Sequence, residues 1–173
     1  MSGFTVWFTG LPSSGKSTLA KVLRGEIEKK DKHVEILDGD EVRLRLSKGL
    51  GFSKEDRDEN IRRISYVAKV ITRCGAVAIT CAISPYKDIR LEARNEIENF
   101  VEVFVDCDIE ECIRRDVKGL YKKALSGEIK NFTGISDPYE KPESPEITVN
   151  TSTETIEQSV KKIVAGLKEL GYL

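Results

Sequence analysis

The chain has 173 residues, of which 39% are hydrophobic and 33% charged, with a formal net charge of −1. That length suits one domain around one sizeable core, so a single domain over residues 1–173 is expected. The near-zero charge argues against a general nucleic-acid binder, which needs a basic footprint. No apolar run is long enough to span a bilayer, and no signal-peptide pattern precedes the first strand-like run, so a cytoplasmic protein without a membrane partner is expected. Cys74, Cys81, Cys107 and Cys112 form no C-x-x-C pair, and His33 is the lone histidine. The cysteines therefore read as small buried hydrophobes rather than as a metal site.

Apolar runs alternate with helical patterns along the chain. Phe4 to Phe8 reads as a strand and Ser17 to Glu28 as the helix behind it. His33 to Leu37 reads as a second strand ending at Asp38. Ser53 suits the N-cap of a long helix to about Cys74, with Asp56 at the third position. Ala76 to Ala82 has the composition of a strand buried on both faces, and Pro85 stops it. Lys87 to Glu98 reads as a helix carrying Arg90 and Arg94 on one charged face. Phe100 to Val105 is a fourth strand, followed by a helix from about Ile109. Gly119 to Pro145 is irregular, with Pro138, Pro142 and Pro145 clustered in it. A loop that long inside one domain marks a lid, and a mobile lid with a helical piece at Tyr121 to Leu125 is expected. Ile147 to Val149 is a short fifth strand. Thr155 to Leu170 is an amphipathic closing helix.

Such alternation implies a parallel sheet with helices on both faces. Ligands in such folds bind beyond the C-terminal ends of the strands. Gly10-Leu11-Pro12-Ser13-Ser14-Gly15-Lys16-Ser17 lies at the first of these ends, and it completes G-x-x-x-x-G-K-[ST] between a strand and a helix. The loop amides and helix N-terminus cradle polyphosphate oxygens. Lys16 reaches the terminal phosphates, and the Ser17 hydroxyl serves Mg²⁺. The chain is thus expected to bind ATP or GTP in a P-loop NTPase-type three-layer fold with a five-stranded parallel sheet.

Asp38-Gly39-Asp40 sits at the second strand end. Phosphoryl transfer uses one carboxylate for the metal and one for the acceptor hydroxyl, although an Asp-Gly turn capped by its own side chains fits the same residues. Arg43, Arg57, Arg62 and Arg63 supply planar donors for an anionic acceptor, or a solvated helix face. Phe52 and Phe132 stand in irregular stretches beside glycines, where exposed rings stack on flat bases or anchor a loop to the core. Arg114, Arg115, Lys118, Lys122 and Lys123 form a basic lid entrance.

In series, Phe8 to Thr18, Leu37-Asp38-Gly39-Asp40-Glu41-Val42-Arg43, Leu50-Gly51-Phe52-Ser53, Asp56-Arg57 and Asn60 to Arg63 resemble the adenylylsulfate kinase (APS kinase) family. The resemblance continues through Ile83-Ser84-Pro85-Tyr86, Arg115 to Tyr121, Phe132-Thr133-Gly134-Ile135 and Asp137 to Glu140. It implies ATP-dependent phosphorylation of the ribose 3′-hydroxyl of adenosine 5′-phosphosulfate (APS), giving 3′-phosphoadenosine 5′-phosphosulfate (PAPS) and ADP, with Mg²⁺. By resemblance Asp40 handles the hydroxyl and Asp38 the metal. ATP is held by Gly10 through Thr18, with Arg115 near its base. Arg43, Arg57 and Asn60 grip the phosphosulfate, Phe52 and Phe132 sandwich the adenine, and Lys130 and Ile83 line that site. Ser84 matches the serine assigned in the family to a phosphoserine intermediate. Pro12-Ser13-Ser14 replaces the Ser-Gly-Ala of many members. The family also implies a homodimer and occurs fused to ATP sulfurylase, which leaves open a free-standing enzyme or an excised domain. Two other readings are a P-loop kinase for another small acceptor and a nucleotide-sensing domain without turnover.

Overall fold

Alternating side chains of the first strand set the layers. In the computed structural model, which describes residues 3–173, β1 (Phe4–Thr9) is buried along its whole length. Phe4, Val6 and Phe8 enter one core and Trp7 the other, as a period of two requires. Parallel strands flank β1 on both sides. The sheet runs β2 (Val34–Asp38), β3 (Val77–Cys81), β1, β4 (Phe100–Asp106), β5 (Ile147–Asn150), all parallel. Helices α1 (Lys16–Glu28) and α7 (Ile156–Glu169) cover one face, contributing Leu19, Leu23 and Ile27, and Val160, Ile163 and Leu167. Helices α3 (Lys54–Arg73) and α4 (Lys87–Glu96) cover the other, contributing Ile61, Ile64 and Ala68, and Ile89 and Ala93. The expected three-layer, five-stranded parallel architecture is present. None of the described helices is long and apolar enough to cross a membrane.

Local chemistry sets the boundaries. Ser53 caps α3 by accepting from the Asp56 amide, as its spacing predicts. Thr155 and Gln158 form a reciprocal capping box on α7. The sequence pattern missed one element. Asp38-Gly39-Asp40 is not an isolated turn: Asp38 caps a seven-residue helix, α2 (Gly39–Arg45), by accepting from the Asp40 amide at 3.0 Å. The capping expected of a turn is real, but the chain continues from it as a helix.

The helix expected from about Ile109 is α5 (Ile109–Arg115), and the helical piece expected in the irregular stretch is α6 (Leu120–Leu125); together with the turns after them they close over a third, smaller core. It contains Cys107, Cys112, Tyr121, Ala124 and Phe132. Cys81, Cys107 and Cys112 are buried and Cys74 is exposed.

Arg90 and Arg94 do not form the charged surface face expected on α4. Arg90 is 4% exposed. Its Nε lies 3.1 Å from Glu102 on β4, and its Nη atoms donate to the Ser84 and Glu140 carbonyls, each at 2.5 Å. Arg94 joins Glu102 to Glu146 at 3.3 and 2.6 Å. A buried charge is tolerated only when paired and hydrogen-bonded, and this network satisfies both demands. Removing one partner strands the other, so Arg90→Met should cost about 3–5 kcal/mol. Arg62→Ala, which breaks an exposed pair with Glu92, should cost at most about 1 kcal/mol. Chemical denaturation of the two variants checks the contrast.

Candidate active site

The ends of β1, β2 and β3 and the third core enclose one cavity of about 850 Å³. Its floor is the phosphate-binding loop. Gly15 precedes α1 at φ 102, a left-handed conformation that favours glycine. Pro12, Ser13, Gly15, Lys16, Ser17 and Thr18 line the cavity; Gly10, Leu11 and Ser14 do not. Leu11 packs into the third core and Ser14 is buried. Lys16 Nζ donates to the Gly10 and Leu11 carbonyls at 2.8 and 2.7 Å. Burial lowers its pKa to about 8.

Helix α2 ties this floor to the opposite wall. Ser17 Oγ donates to Asp38 Oδ2 at 2.7 Å, while Asp38 Oδ1 holds the Asp40 amide. One turn further, Arg43 donates to the Gly51 carbonyl at 3.0 Å and lies over the Phe52 ring, 4.5 Å from its centroid. Burial, with the charge of Arg57 beside it, lowers the Arg43 pKa. At 1.5 Å per residue, the helix carries Asp40 and Arg43 across less than ~10 Å. Asp40 pairs with Lys118, whose side chain reaches in from the lid; both are exposed.

Phe52 is 61% exposed and Phe132 only 9%, although both line the cavity. Of the two readings the sequence leaves open, Phe52 takes that of an exposed ring and Phe132 that of a loop anchor. Phe132 also anchors the third core, with its ring edge-on to Tyr121.

Arg57 is buried and fully engaged. Its Nε donates to the Phe52 carbonyl at 2.9 Å, and its other nitrogens donate to Thr133 Oγ1 and the Asn131 carbonyl and lie 3.2 Å from Asp137. It clasps the segment carrying Phe132 onto α3. Asn60 lines the cavity with its amide oxygen buried and without a protein partner. Ile83 and Lys130 also line it. Ser84 is 1% exposed, at φ 48, and its Oγ accepts from Trp7 Nε1 at 3.1 Å. Arg115 reaches the cavity and donates to the Thr151 carbonyl at 2.5 Å.

The other arginines and lysines expected nearby do not line the cavity. Arg62 pairs with Glu92, Arg63 with Glu59, Arg114 with Glu111 and Lys123 with Glu128. Sequence reasoning missed the wall formed by Glu154, Thr155, Ile156 and Ser159. Its one signal was position, since this segment follows the fifth strand end. Among the described residues no cluster of three or more His, Cys, Asp or Glu could hold a metal. Ser17 and Asp38 offer two hard oxygen donors, which fits Mg²⁺, an ion that keeps water and substrate phosphates as its remaining ligands.

A parallel sheet, a phosphate-binding loop and a second wall lined by cationic side chains and aromatic rings in one cavity define a P-loop kinase. The adenylylsulphate kinase family model matches residues 2–150. The chain is 67% identical over its full length to a probable bifunctional SAT/APS kinase 2 of Sorangium cellulosum, of which it spans 30%. It is 55% identical to an adenylyl-sulfate kinase of Picosynechococcus, covering 99% of this chain and 97% of that one. The Mycobacterium tuberculosis APS kinase CysC, solved in complex with AMPPNP and APS, superposes with a TM-score of 0.92 at 41% identity, covering 96% of this chain and 98% of that one. The chain belongs to the adenylylsulphate kinase family.

Only the protonated Lys16 attracts phosphate. Its charge is present below pH 8 and lost above it, so nucleotide affinity should fall as pH rises through about 8. Titration calorimetry with a non-hydrolysable ATP analogue should show this decline, and Lys16→Met should bind more weakly with no slope in that window.

Proposed function

We propose that this chain transfers the γ-phosphoryl group of ATP to the 3′-hydroxyl of adenosine 5′-phosphosulfate, releasing PAPS and ADP. The observation that carries the reading is α2. One short helix runs from the phosphate-binding loop to an arginine laid on an exposed phenylalanine, with Asp40 in its first turn. The residues assigned to donor and acceptor thus line one cavity and are joined by a seven-residue helix.

The donor is held by loop amides, the α1 N-terminus and Lys16. Ser17 and Asp38 would hold Mg²⁺, which when bound neutralises charge on the phosphates. Phe52 and Phe132 take the two faces of the acceptor adenine. Arg43 and Lys130 face its anionic end, Ile83 walls it, and the buried Asn60 oxygen accepts from one of its N–H or O–H groups. Arg57 serves mainly as the clasp that sets Phe52 and Phe132. Arg115 and Thr151 border the donor base.

Asp40 orients the 3′-hydroxyl and takes its proton as the new O–P bond forms and the bond to the ADP oxygen breaks. Lys118, already paired with that carboxylate, places a positive charge where charge develops. Ser84 has no nucleophilic part in this scheme. Its hydroxyl is buried and held by Trp7, so it supports the shelf on which Ile83 stands.

The bifunctional relative supports association with a sulfurylase activity. A homodimer rests on the family resemblance, and light scattering reads it. The single-domain organisation is supported by three cores that share one sheet and its lid.

The test is ADP release with Mg²⁺ and ATP, comparing adenosine 5′-phosphosulfate with AMP, adenosine and no acceptor. Turnover confined to the phosphosulfate is expected. Turnover on another acceptor, or ATP binding without turnover on any, would overturn the assignment. Asp40→Ala should lower kcat by about 10²- to 10⁴-fold, the range for a general base, with ATP affinity preserved. Phe52→Ala should weaken the sulfated substrate by roughly 5- to 150-fold, matching ~1–3 kcal/mol of stacking, and leave the KM for ATP unchanged.

A further inference from the structure

We propose that Tyr121 is a positioning residue that joins the phosphate-binding loop to the acceptor ring, so that each substrate tightens the binding of the other. The inference rests on the assignment of Phe132 to the sulfated nucleotide. It adds a connection that neither site requires on its own.

Tyr121 lies in the first turn of α6 and is fully buried, while Lys122 and Lys123 beside it are exposed. The two ends of its side chain serve different sites. The ring packs edge-on against Phe132, with centroids 5.0 Å apart at 77°. The hydroxyl donates to the Pro12 carbonyl at 2.9 Å, across 109 residues of chain. Its backbone is also fixed: the Tyr121 and Lys122 amides donate to the two Asp116 carboxylate oxygens at 2.9 and 3.0 Å. Burial raises the phenol pKa, so the hydroxyl remains a donor throughout the working pH range.

A phenylalanine would fill the same space without the cost of burying a hydroxyl. What the hydroxyl adds is control of one peptide plane. In a trans peptide the carbonyl and the following N–H point opposite ways. Holding the Pro12 carbonyl on the lid side therefore turns the Ser13 amide away from Tyr121. Ser13 lines the cavity at φ 61, a conformation that a non-glycine residue keeps only when its surroundings hold it.

A second contact lies beside the first. Leu11 packs in the same core as Phe132, and Gly134 approaches it so closely that an added Cβ would lie 2.9 Å from Leu11 Cδ2. The segment bearing the acceptor ring therefore rests directly on the donor loop. A polyphosphate that fixes the loop fixes Pro12, Tyr121 and Phe132 in turn. Linkage requires the same effect in reverse.

The test measures APS affinity by calorimetry with and without a non-hydrolysable ATP analogue and Mg²⁺, for the wild type and for Tyr121→Phe. The readout is the ratio of the two dissociation constants. The wild type should tighten at least about fivefold, the lower range of such couplings. In Tyr121→Phe that ratio should shrink by about 2- to 12-fold, the worth of one net hydrogen bond. APS affinity without nucleotide should stay within about twofold, because the ring contact remains. Should Tyr121→Phe melt far below the wild type, Asp116→Ala, which releases the start of α6, is read by the same ratio and should lower it. A wild-type ratio of one, or equal ratios in wild type and variant, overturns the role of Tyr121 while leaving the proposed reaction intact. Failure of APS to bind the wild type at all overturns both.

Discussion

One carboxylate holds the two halves of the site in register. Asp38 ends β2, and its two oxygens face different partners: one accepts from Ser17 in the phosphate-binding loop, the other caps α2. The strand fixes Asp38 through its pairing with Cys81 on β3, so the sheet, the donor loop and the acceptor helix meet at one residue. The cap also sets the helix direction. Glu41 lies in its first turn and Arg43 and Arg45 in its last, each sign where the helix dipole favours it. From that orientation follow the reach of Asp40 and the contact of Arg43 with Phe52. A change at Asp38 would therefore disturb the phosphate-binding loop and the orientation of α2 together.

The cavity wall at Phe132 depends on a different kind of support. Phe132 is held by an apolar cluster from behind and by Arg57 from the side, which binds the chain at Asn131, Thr133 and Asp137. Asp137 also accepts from the Tyr86 hydroxyl at 2.7 Å, and the Glu140 amide donates to the Pro85 carbonyl. The segment after α6 is thus stitched to the loop that follows β3. Beneath that loop lies the Arg90 and Glu102 network, reaching the Ser84 carbonyl from the core side. Polar groups brace this end of the sheet, whereas apolar side chains fill the middle.

Elements whose signal is periodic were legible in the sequence. The apolar run of β1, the cap at Ser53 and the amphipathic closing helix all follow from composition and spacing, and the observed bounds differ by one or two residues. Helix α2 was not legible as a helix, because seven residues make too short a period and Asp-Gly is itself a turn signal. Its acidic start and basic end were the available clue. Arg90 misled for a related reason: an arginine repeated at helical spacing reads as solvent-facing until its partner is known. That partner was visible as Glu102, a lone carboxylate inside an apolar strand. Phe132 needed tertiary information, since only the folding of α5 and α6 over Cys107 and Cys112 makes a core behind it. The phosphate-binding loop was legible because its chemistry is local to eight residues.

The order of the sheet bears on how the molecule comes to exist. The earliest strand in the chain is its central one, and both its neighbours lie far downstream, in register at Val77 and Phe100. At roughly 5–20 residues per second, a growing chain that has delivered Phe4–Thr9 waits on the order of 4–15 s for β3 to be made. During that interval Phe4, Val6, Trp7 and Phe8 have no sheet to enter. The same apolar strand that carries the phosphate-binding loop at its end is therefore a stretch for which a ribosome-associated chaperone has the longest opportunity to bind.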